Sequence, residues 1–156
     1  MAPRRFRWLA NLWPPFLAAG IRVLEVDDDW RYARVRLRRR FFNANYVGTH
    51  FGGSLFAMTD PFWMIMVMEN LGRDYVVWDQ TAEIAFVAAL KDDVFAEFRL
   101  EPAVLDELRA AAAGGDKVLR WFEVEVRTAG GEVAAHVRKQ VYVRLKPRAR
   151  PAGQMA

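Results

Sequence analysis

Residues 54–71 constrain the fold most, because they fit a helix that is apolar on nearly every face. The apolar positions do not gather on one stripe: they are Leu55, Phe56, Met58, Phe62, Trp63, Ile65, Met66 and Met68. A helix that is apolar all round is a buried helix. Gly72, directly after it, is typical of a helix end. The stretch therefore predicts a central helix that other elements must enclose.

Most of the remaining chain alternates between apolar and polar residues, which is typical of half-buried strands. The alternation predicts strands over residues 21–26, 30–40, 75–90, 94–100, 117–128 and 132–145, and two further helices over 5–12 and 102–113. One buried helix followed by a run of antiparallel strands predicts an α+β fold. In this fold a curved sheet of about six strands wraps the central helix, and the helix over 102–113 lies on the surface.

The length of 156 residues fits one domain. We expect a helix and linker over residues 1–20, the domain over 21–146 and a flexible tail over 147–156. Asn11, Pro14 and Pro15 interrupt the apolar part of the first segment, which disfavours a signal peptide. The wholly apolar run over residues 62–68 is far shorter than the ~20 residues of a membrane span. We therefore expect a cytoplasmic protein with no membrane span.

The composition of the chain excludes several kinds of catalytic and metal-binding site. The chain has no cysteine, which excludes disulfides, a thiolate nucleophile and cysteine-bound zinc. The two histidines, His50 and His136, lack the spacing of metal ligands. We expect neither a metal nor a cofactor.

The net charge of +4 suits a polyanionic partner such as a nucleic acid, a membrane surface or the phosphates of coenzyme A. For any single basic cluster, including Arg138, Lys139 and Lys146, a solvated surface is the favoured interpretation. Basic residues are interleaved with acids and no nucleic-acid-binding motif occurs, so no nucleic-acid partner is expected.

The segment from Asn45 to Asp60 is best suited to chemistry. Gly52 and Gly53 open the predicted buried helix, where backbone N–H groups at the positive end of the helix dipole can stabilise an oxyanion. Asp60 lies within about two turns along the helix, where a carboxylate can act as general base or nucleophile. Two simpler interpretations stay open: the glycines form a tight turn, and Asp60 is the N-cap of a helix that starts at Pro61.

One spacing in this segment resembles the active site of hotdog-fold thioesterases of the phenylacetyl-CoA thioesterase type. The residues that carry the resemblance are Asn45, Gly48, Gly52, Gly53 and Asp60. The strand over residues 81–86 is also similar, and the likeness spans residues 21–145. It is nearest to a bacterial branch described only as a hotdog domain of unknown function. The resemblance implies a hotdog fold and a homodimer, or a tetramer built from dimers, whose sheets join edge to edge and whose subunits share each site.

The resemblance also implies roles for single residues. Asp60 would be the base or nucleophile, and Gly53, with Gly52, would form the oxyanion hole. Asn45 would hold the thioester carbonyl or the attacking water. Asp79, from the strand after the helix, would position water.

Four further residues are predicted to line the substrate site. Thr81 lies two residues after Asp79, which places both on the same face of the strand. Phe51 stands where the family usually has histidine, and His50 comes one residue earlier. Trp63 is first of all a core residue, but aromatic side chains can also line an acyl channel.

These expectations favour an acyl-CoA thioesterase that acts on acyl-CoA or an acyl-carrier thioester. The alternative is a non-catalytic acyl-CoA or fatty-acyl binding module, which the substitution at Phe51 motivates. A hotdog dehydratase pairs a histidine with an aspartate, and this chain lacks a well-placed histidine.

Overall fold

The protein, seen in a computed structural model that describes residues 1–149, contains a six-stranded antiparallel sheet in the order β1-β2-β4-β5-β6-β3. The helices are α1 Pro3–Leu12, α2 Pro14–Ala19, α3 Gly52–Ala57, α4 Phe62–Leu71 and α5 Pro102–Ala112. The strands are β1 Ile21–Val26, β2 Tyr32–Leu37, β3 Tyr75–Phe86, β4 Val94–Arg99, β5 Val118–Thr128 and β6 Val133–Leu145. The predicted α+β class and hotdog arrangement are confirmed.

The core forms where the concave face of the sheet meets α4. Phe62 stacks on Phe98 of β4 with ring centroids 4.9 Å apart, and Trp63 stacks on Phe122 of β5 at 4.8 Å. Burying one such side chain contributes roughly 1.5–3 kcal/mol. The helix is apolar on all sides because the sheet, α1, α2 and α5 leave little of it in water.

The central helix is two helices, where the sequence predicted a single one over 54–71. A turn over residues 58–61 separates α3 from α4. Pro61 has no N–H to donate to Ala57, and the Asp60 N–H takes that carbonyl at 3.2 Å. The chain then restarts as α4, in which the Ile65 N–H donates to the Pro61 carbonyl at 3.0 Å, the ordinary bond to the fourth preceding residue.

The N-terminal segment also differs from its prediction, because α2 replaces most of the expected linker. Pro14 occupies the first turn of α2, where proline's fixed φ favours helix and its missing N–H has no cost. At the other end of the chain, Pro147–Ala149 forms a short 3-10 turn. Residues 150–156 of the predicted flexible tail lie outside the described residues.

The two edges of the sheet differ. Asn11 of α1 closes the β1 edge, since its side chain donates to the Val23 carbonyl at 3.0 Å and accepts from the Val23 N–H at 2.8 Å. The β3 edge has β6 on one side and no strand of the described chain on the other. Exposed edges of this kind are open to pairing with another strand.

Candidate functional site

A buried lysine joins two of the predicted site residues. Lys139 on β6 donates to Asp60 Oδ1 at 2.5 Å and to Asp79 Oδ2 at 3.3 Å. Only 2% of the Lys139 side chain is exposed. Its ammonium also lies 5.0 Å from the centre of the Phe56 ring. Burying a lysine charge is costly unless it is paired, and here two carboxylates supply the pairing.

Asp60 sits in the turn between α3 and α4 and exposes 58% of its side chain. It is not the N-cap of the following helix: α4 starts at Phe62, Pro61 holds the capping position, and no side chain caps that end. The turn instead points the carboxylate at Lys139 on the sheet. The simpler interpretation of Asp60 as a cap is therefore wrong.

Asp79 lies deeper, with 20% of its side chain exposed. Burial raises the pKa of the Asp79 carboxyl above its ordinary value, and the Lys139 charge and hydrogen bond oppose that rise only in part. The nearby Asp60 charge raises the pKa further. The second oxygen, Oδ1, is buried and has no hydrogen-bond partner within residues 1–149. Asp79 is thus a carboxyl that holds a proton more readily than usual, and its unpaired Oδ1 is closed off from solvent.

Thr81 does not share a face with Asp79, contrary to prediction. A β-bulge lies between them: Asp79 pairs with Val141 while Thr81 pairs with Gln140, so one extra residue is inserted in β3. A bulge of this kind reverses which face the following side chains occupy. Asp79 therefore points inward to Lys139, and Thr81 is exposed on the other face.

A second group of predicted residues surrounds the start of α3. A cavity of about 410 Å³ lies there, lined in part by Asn45, His50, Gly52 and Leu55. Its volume is within the usual range for small-ligand pockets. The side wall opposite the loop comes from residues 86–89, at the end of β3.

The polar groups of Asn45 and His50 hold the loop that forms this cavity. The Asn45 amide donates to Thr49 Oγ1 and the His50 carbonyl, and its oxygen accepts from the N–H groups of Val47 and Thr49. These four bonds use the full capacity of an asparagine amide. The His50 ring is buried, with Nε2 2.7 Å from the Asp92 carbonyl. Both side chains shape the pocket, and the Asn45 amide has no unused donor for a substrate carbonyl.

Gly52 and Gly53 lie in close contact with two aromatic rings. A Cβ at Gly52 would come within 2.8 Å of the Phe86 ring, and one at Gly53 within 2.5 Å of the Phe51 ring. The first N–H groups of a helix have no acceptor within it, so the amides of both glycines remain available. Both rings are largely exposed. Phe51, which was predicted to line the substrate site, thus lies with its ring against the first turn of α3.

Trp63 lies in the core and not in a channel wall. Its ring is enclosed by the aromatic side chains of β4 and β5, and 5% of the residue is exposed. The indole N–H has no hydrogen-bond partner in the described part of the chain. The interpretation of Trp63 as a core residue is the one that the structure supports.

Lys139 is the site residue that sequence reasoning missed, since it was grouped with Arg138 as solvated surface. The signal was present in the alternation of β6. Val137, Val141 and Val143 face the core, and Lys139 occupies the same row. A lysine within an apolar inward row indicates a buried, paired charge.

The described residues contain no group of three or more histidine, aspartate or glutamate side chains that could hold a metal ion. None of the helices within residues 1–149 has the length and apolar character that crossing a membrane requires.

Residues 3–143 match the model of a family described as a domain of unknown function, DUF4442. Comparison with curated proteins finds no match. Among solved structures, protein PA5026 from Pseudomonas aeruginosa, described as a probable thioesterase, is 20% identical with a TM-score of 0.82, and the match covers 93% of this chain and 97% of that one. Thioesterase HI1161 from Haemophilus influenzae is 10% identical with a TM-score of 0.67, covering 97% and 96%. A mutant of thioesterase PA1618 from Pseudomonas aeruginosa is 12% identical with a TM-score of 0.66, covering 90% and 93%. At these identities the likeness shows a shared hotdog fold.

Proposed function

This chain belongs to the DUF4442 family, and from that membership and its fold we propose that it is an acyl-CoA thioesterase of the cytoplasm. The reaction joins water to the acyl carbonyl carbon, breaks the C–S bond and releases a carboxylic acid and a thiol. An acyl-carrier thioester would undergo the same chemistry. The observation that carries the proposal is the cluster of Asp60, Lys139 and Asp79.

Asp60 is the proposed general base. Lys139 binds Oδ1 of this carboxylate, which leaves Oδ2 to accept a proton from the attacking water. Charge-assisted bonding to a buried ammonium fixes the direction of the carboxylate, and a well-placed base contributes roughly 10²–10⁴-fold to rate. Asp79, whose Oδ2 shares Lys139 with Asp60, is the proposed residue that positions this water. The alternative role of Asp60, as a nucleophile, needs the same exposed oxygen.

The amides of Gly52 and Gly53 are the proposed donors to the oxyanion that forms on the thioester carbonyl. Losing one such donor costs about 3–4 kcal/mol of barrier. Gly53 lies in the first turn of α3 and Asp60 lies in the turn beyond its end, so this six-residue helix, about 9 Å long, separates them within one subunit. That separation is too long for both groups to contact one carbonyl. We therefore propose that each site combines Asp60 of one subunit with the glycine pair of the other in a homodimer built on the β3 edge.

A non-catalytic acyl-CoA or fatty-acyl binding module is the second candidate. It is favoured by the Phe51 ring, which lies against Gly53 where related enzymes have histidine, and by the Asn45 amide, whose bonding capacity the loop already uses. This candidate keeps the cavity at the start of α3 and predicts saturable binding without turnover.

The test uses purified protein with short-chain, long-chain and aromatic acyl-CoAs while released thiol is measured. We expect hydrolysis by the wild type and at least ~100-fold slower hydrolysis by Asp60→Asn. Asp28→Asn, an aspartate in an exposed turn, is the matched control and should retain the wild-type rate. Binding without thiol release supports the binding module. Neither binding nor release with any ester contradicts both candidates.

A further inference from the structure

The outer surface of α1 and α2 is apolar and basic at once, and the proposed site does not use it. Its exposed apolar side chains are Met1, Trp8, Leu9, Leu12, Trp13 and Leu17. Together with the arginines of α1, they form a surface that we call the N-terminal face. Trp8 is 64% exposed and Leu17 is 61% exposed. Large apolar side chains exposed in one contiguous region mark an interaction surface.

The charged side chains of α1 and α2 have one sign, although the Met1 ammonium pairs with Glu69 of α4 at 3.1 Å. Residues 1–24 contain Arg4, Arg5, Arg7 and Arg22 and no aspartate or glutamate. Arg4 and Arg5 make no salt bridge within the described residues, so their charges are not neutralised by a neighbouring carboxylate. The positive potential therefore adds to the apolar surface on the same two helices.

The arginines continue around the side of α1. A groove of about 720 Å³ runs between α1 and the strands β1 and β2, and Arg4, Arg7, Arg22 and Arg36 line it together with Trp8. Trp8 is thus flanked by guanidinium groups. This is the side-chain composition of helices that lie in the interface of a membrane, where tryptophan and leucine enter the acyl boundary and arginine meets phosphate groups.

A bilayer with anionic lipids satisfies both features better than a nucleic acid or an apolar protein surface does. A nucleic acid would pair with the arginines and leave six apolar side chains in water. An apolar protein surface would cover those side chains and bury the arginine charges without partners, which is costly. A bilayer that contains anionic lipids takes the apolar side chains into its interface and the guanidinium groups among its headgroups.

The position of the face in the fold keeps it open. α1 covers β1, and β1 and β3 are the opposite ends of the sheet order. A dimer that pairs through β3 would therefore leave α1 and α2 uncovered, and its two-fold symmetry would supply two such faces.

We propose that α1 and α2 dock this protein on anionic lipid bilayers as a peripheral membrane protein. The proposal is independent of thioester hydrolysis. Docking of this kind needs no membrane-spanning helix, because the helices lie in the plane of the interface.

Co-sedimentation with lipid vesicles tests the proposal. We expect the full chain to sediment with vesicles of phosphatidylcholine and phosphatidylglycerol, to bind phosphatidylcholine alone far more weakly, and to dissociate as salt is raised. The double variant Arg4→Gln, Arg5→Gln should bind at least about tenfold more weakly. The variant Trp8→Ser, Leu12→Ser should also lose binding, because its apolar contact is removed.

Two controls match these variants. The double variant Lys91→Gln, Lys117→Gln also removes two positive charges, but from exposed loops far from α1 in the sequence. Leu119→Ser removes an exposed apolar side chain from β5. Both should bind as the wild type does. The proposal is overturned if the protein ignores anionic vesicles, if it binds both vesicle types equally, or if the control variants lose as much binding as the α1 variants. Circular dichroism verifies that each variant is folded.

Discussion

At the residue scale, Lys139 is the group on which the candidate site depends. Replacing it with methionine keeps an unbranched side chain, one atom shorter, and removes the cation. We expect kcat for thioester hydrolysis to fall at least about 100-fold, because Asp60 is no longer held and faces Asp79 without a cation between them. The pKa of Asp79 should also rise further, because Lys139 lowers it by charge and by hydrogen bonding. Thiol release and carbon-13 NMR of the Asp79 carboxyl measure the two effects.

Arg138→Met is the matched control for this variant. Arg138 is the neighbour of Lys139 on β6 but faces outward, where it forms surface ion pairs with Glu83 and Glu123. Such exposed pairs contribute little to stability and none to the proposed chemistry. Equal losses in the two variants would contradict a specific role for Lys139.

Asp79 also makes stability depend on pH. Its folded-state pKa is raised above the ordinary 3.8, so the fold binds the proton more tightly than the unfolded chain does. The stabilisation is complete below the unfolded pKa and is lost as pH rises through the folded pKa. We expect wild type to lose stability relative to Asp79→Asn as pH rises from about 4 towards neutrality. Urea unfolding of both proteins across that range measures the difference, and a wild type that instead gains on the variant would mean that Lys139 outweighs burial.

Single residues also show what sequence reasoning could and could not find. The spacing from Asn45 to Asp60 predicted this segment as the site, and the structure brings two of the predicted residues, Asp60 and Asp79, together at Lys139. Lys139 lies 79 residues from Asp60 in the chain, so only the sheet register brings them together. The β-bulge before Thr81 could not be predicted from the alternation of apolar and polar residues. One inserted residue moves the following side chains to the other face of the sheet without changing the residue types.

At the element scale, strands were predicted well because a half-buried strand must alternate. The six strands occur in the predicted order, with ends shortened by a few residues. The central helix was harder, because its apolar composition continues through residues 58–61 although Pro61 breaks its hydrogen bonding. Apolar composition predicts that a segment is buried, but it does not predict where the helical hydrogen bonds of the backbone are interrupted.

The turn from α2 into β1 depends on the conformation of Gly20. This residue caps α2 with φ +79°, and a Cβ there would come within 2.9 Å of the Arg38 carbonyl oxygen. Gly20→Ala should lower the free energy of unfolding by about 1–3 kcal/mol, because a side chain strains the left-handed conformation and meets rigid backbone. Denaturant unfolding measures the loss.

Gly114→Ala, in the turn after α5, is the control for Gly20→Ala. A Cβ at Gly114 meets nothing nearer than Asp116 Oδ2 at 3.7 Å, an ordinary contact. Its unfolding free energy should stay within about 0.5 kcal/mol of wild type. If Gly20→Ala proves equally mild, the capping turn does not need glycine.

At the scale of the whole molecule, the two sheet edges suggest how copies of the chain assemble. Asn11 occupies the backbone groups of Val23 at the β1 edge, whereas β3 exposes Val76, Trp78 and Phe86 beside its open edge. Replacing both Trp78 and Phe86 with lysine should separate the proposed dimer into monomers, because charged side chains oppose edge pairing. Sedimentation velocity should show a dimer for wild type and for Leu119→Lys on the inner strand β5, and a monomer for Trp78→Lys, Phe86→Lys. A monomeric wild type would contradict the assembly.

Mixing two inactive variants tests whether the subunits share each site. Asp60→Asn removes the base, and Gly53→Val blocks close approach of the carbonyl to the start of α3. If each site joins Asp60 of one subunit to Gly53 of the other, a mixed dimer contains one site with both residues intact and one with both replaced. Random exchange of subunits should then restore roughly a quarter of the wild-type activity. If both residues act within one subunit, every site in the mixture keeps one defect, and thiol release will stay at the level of the separate variants.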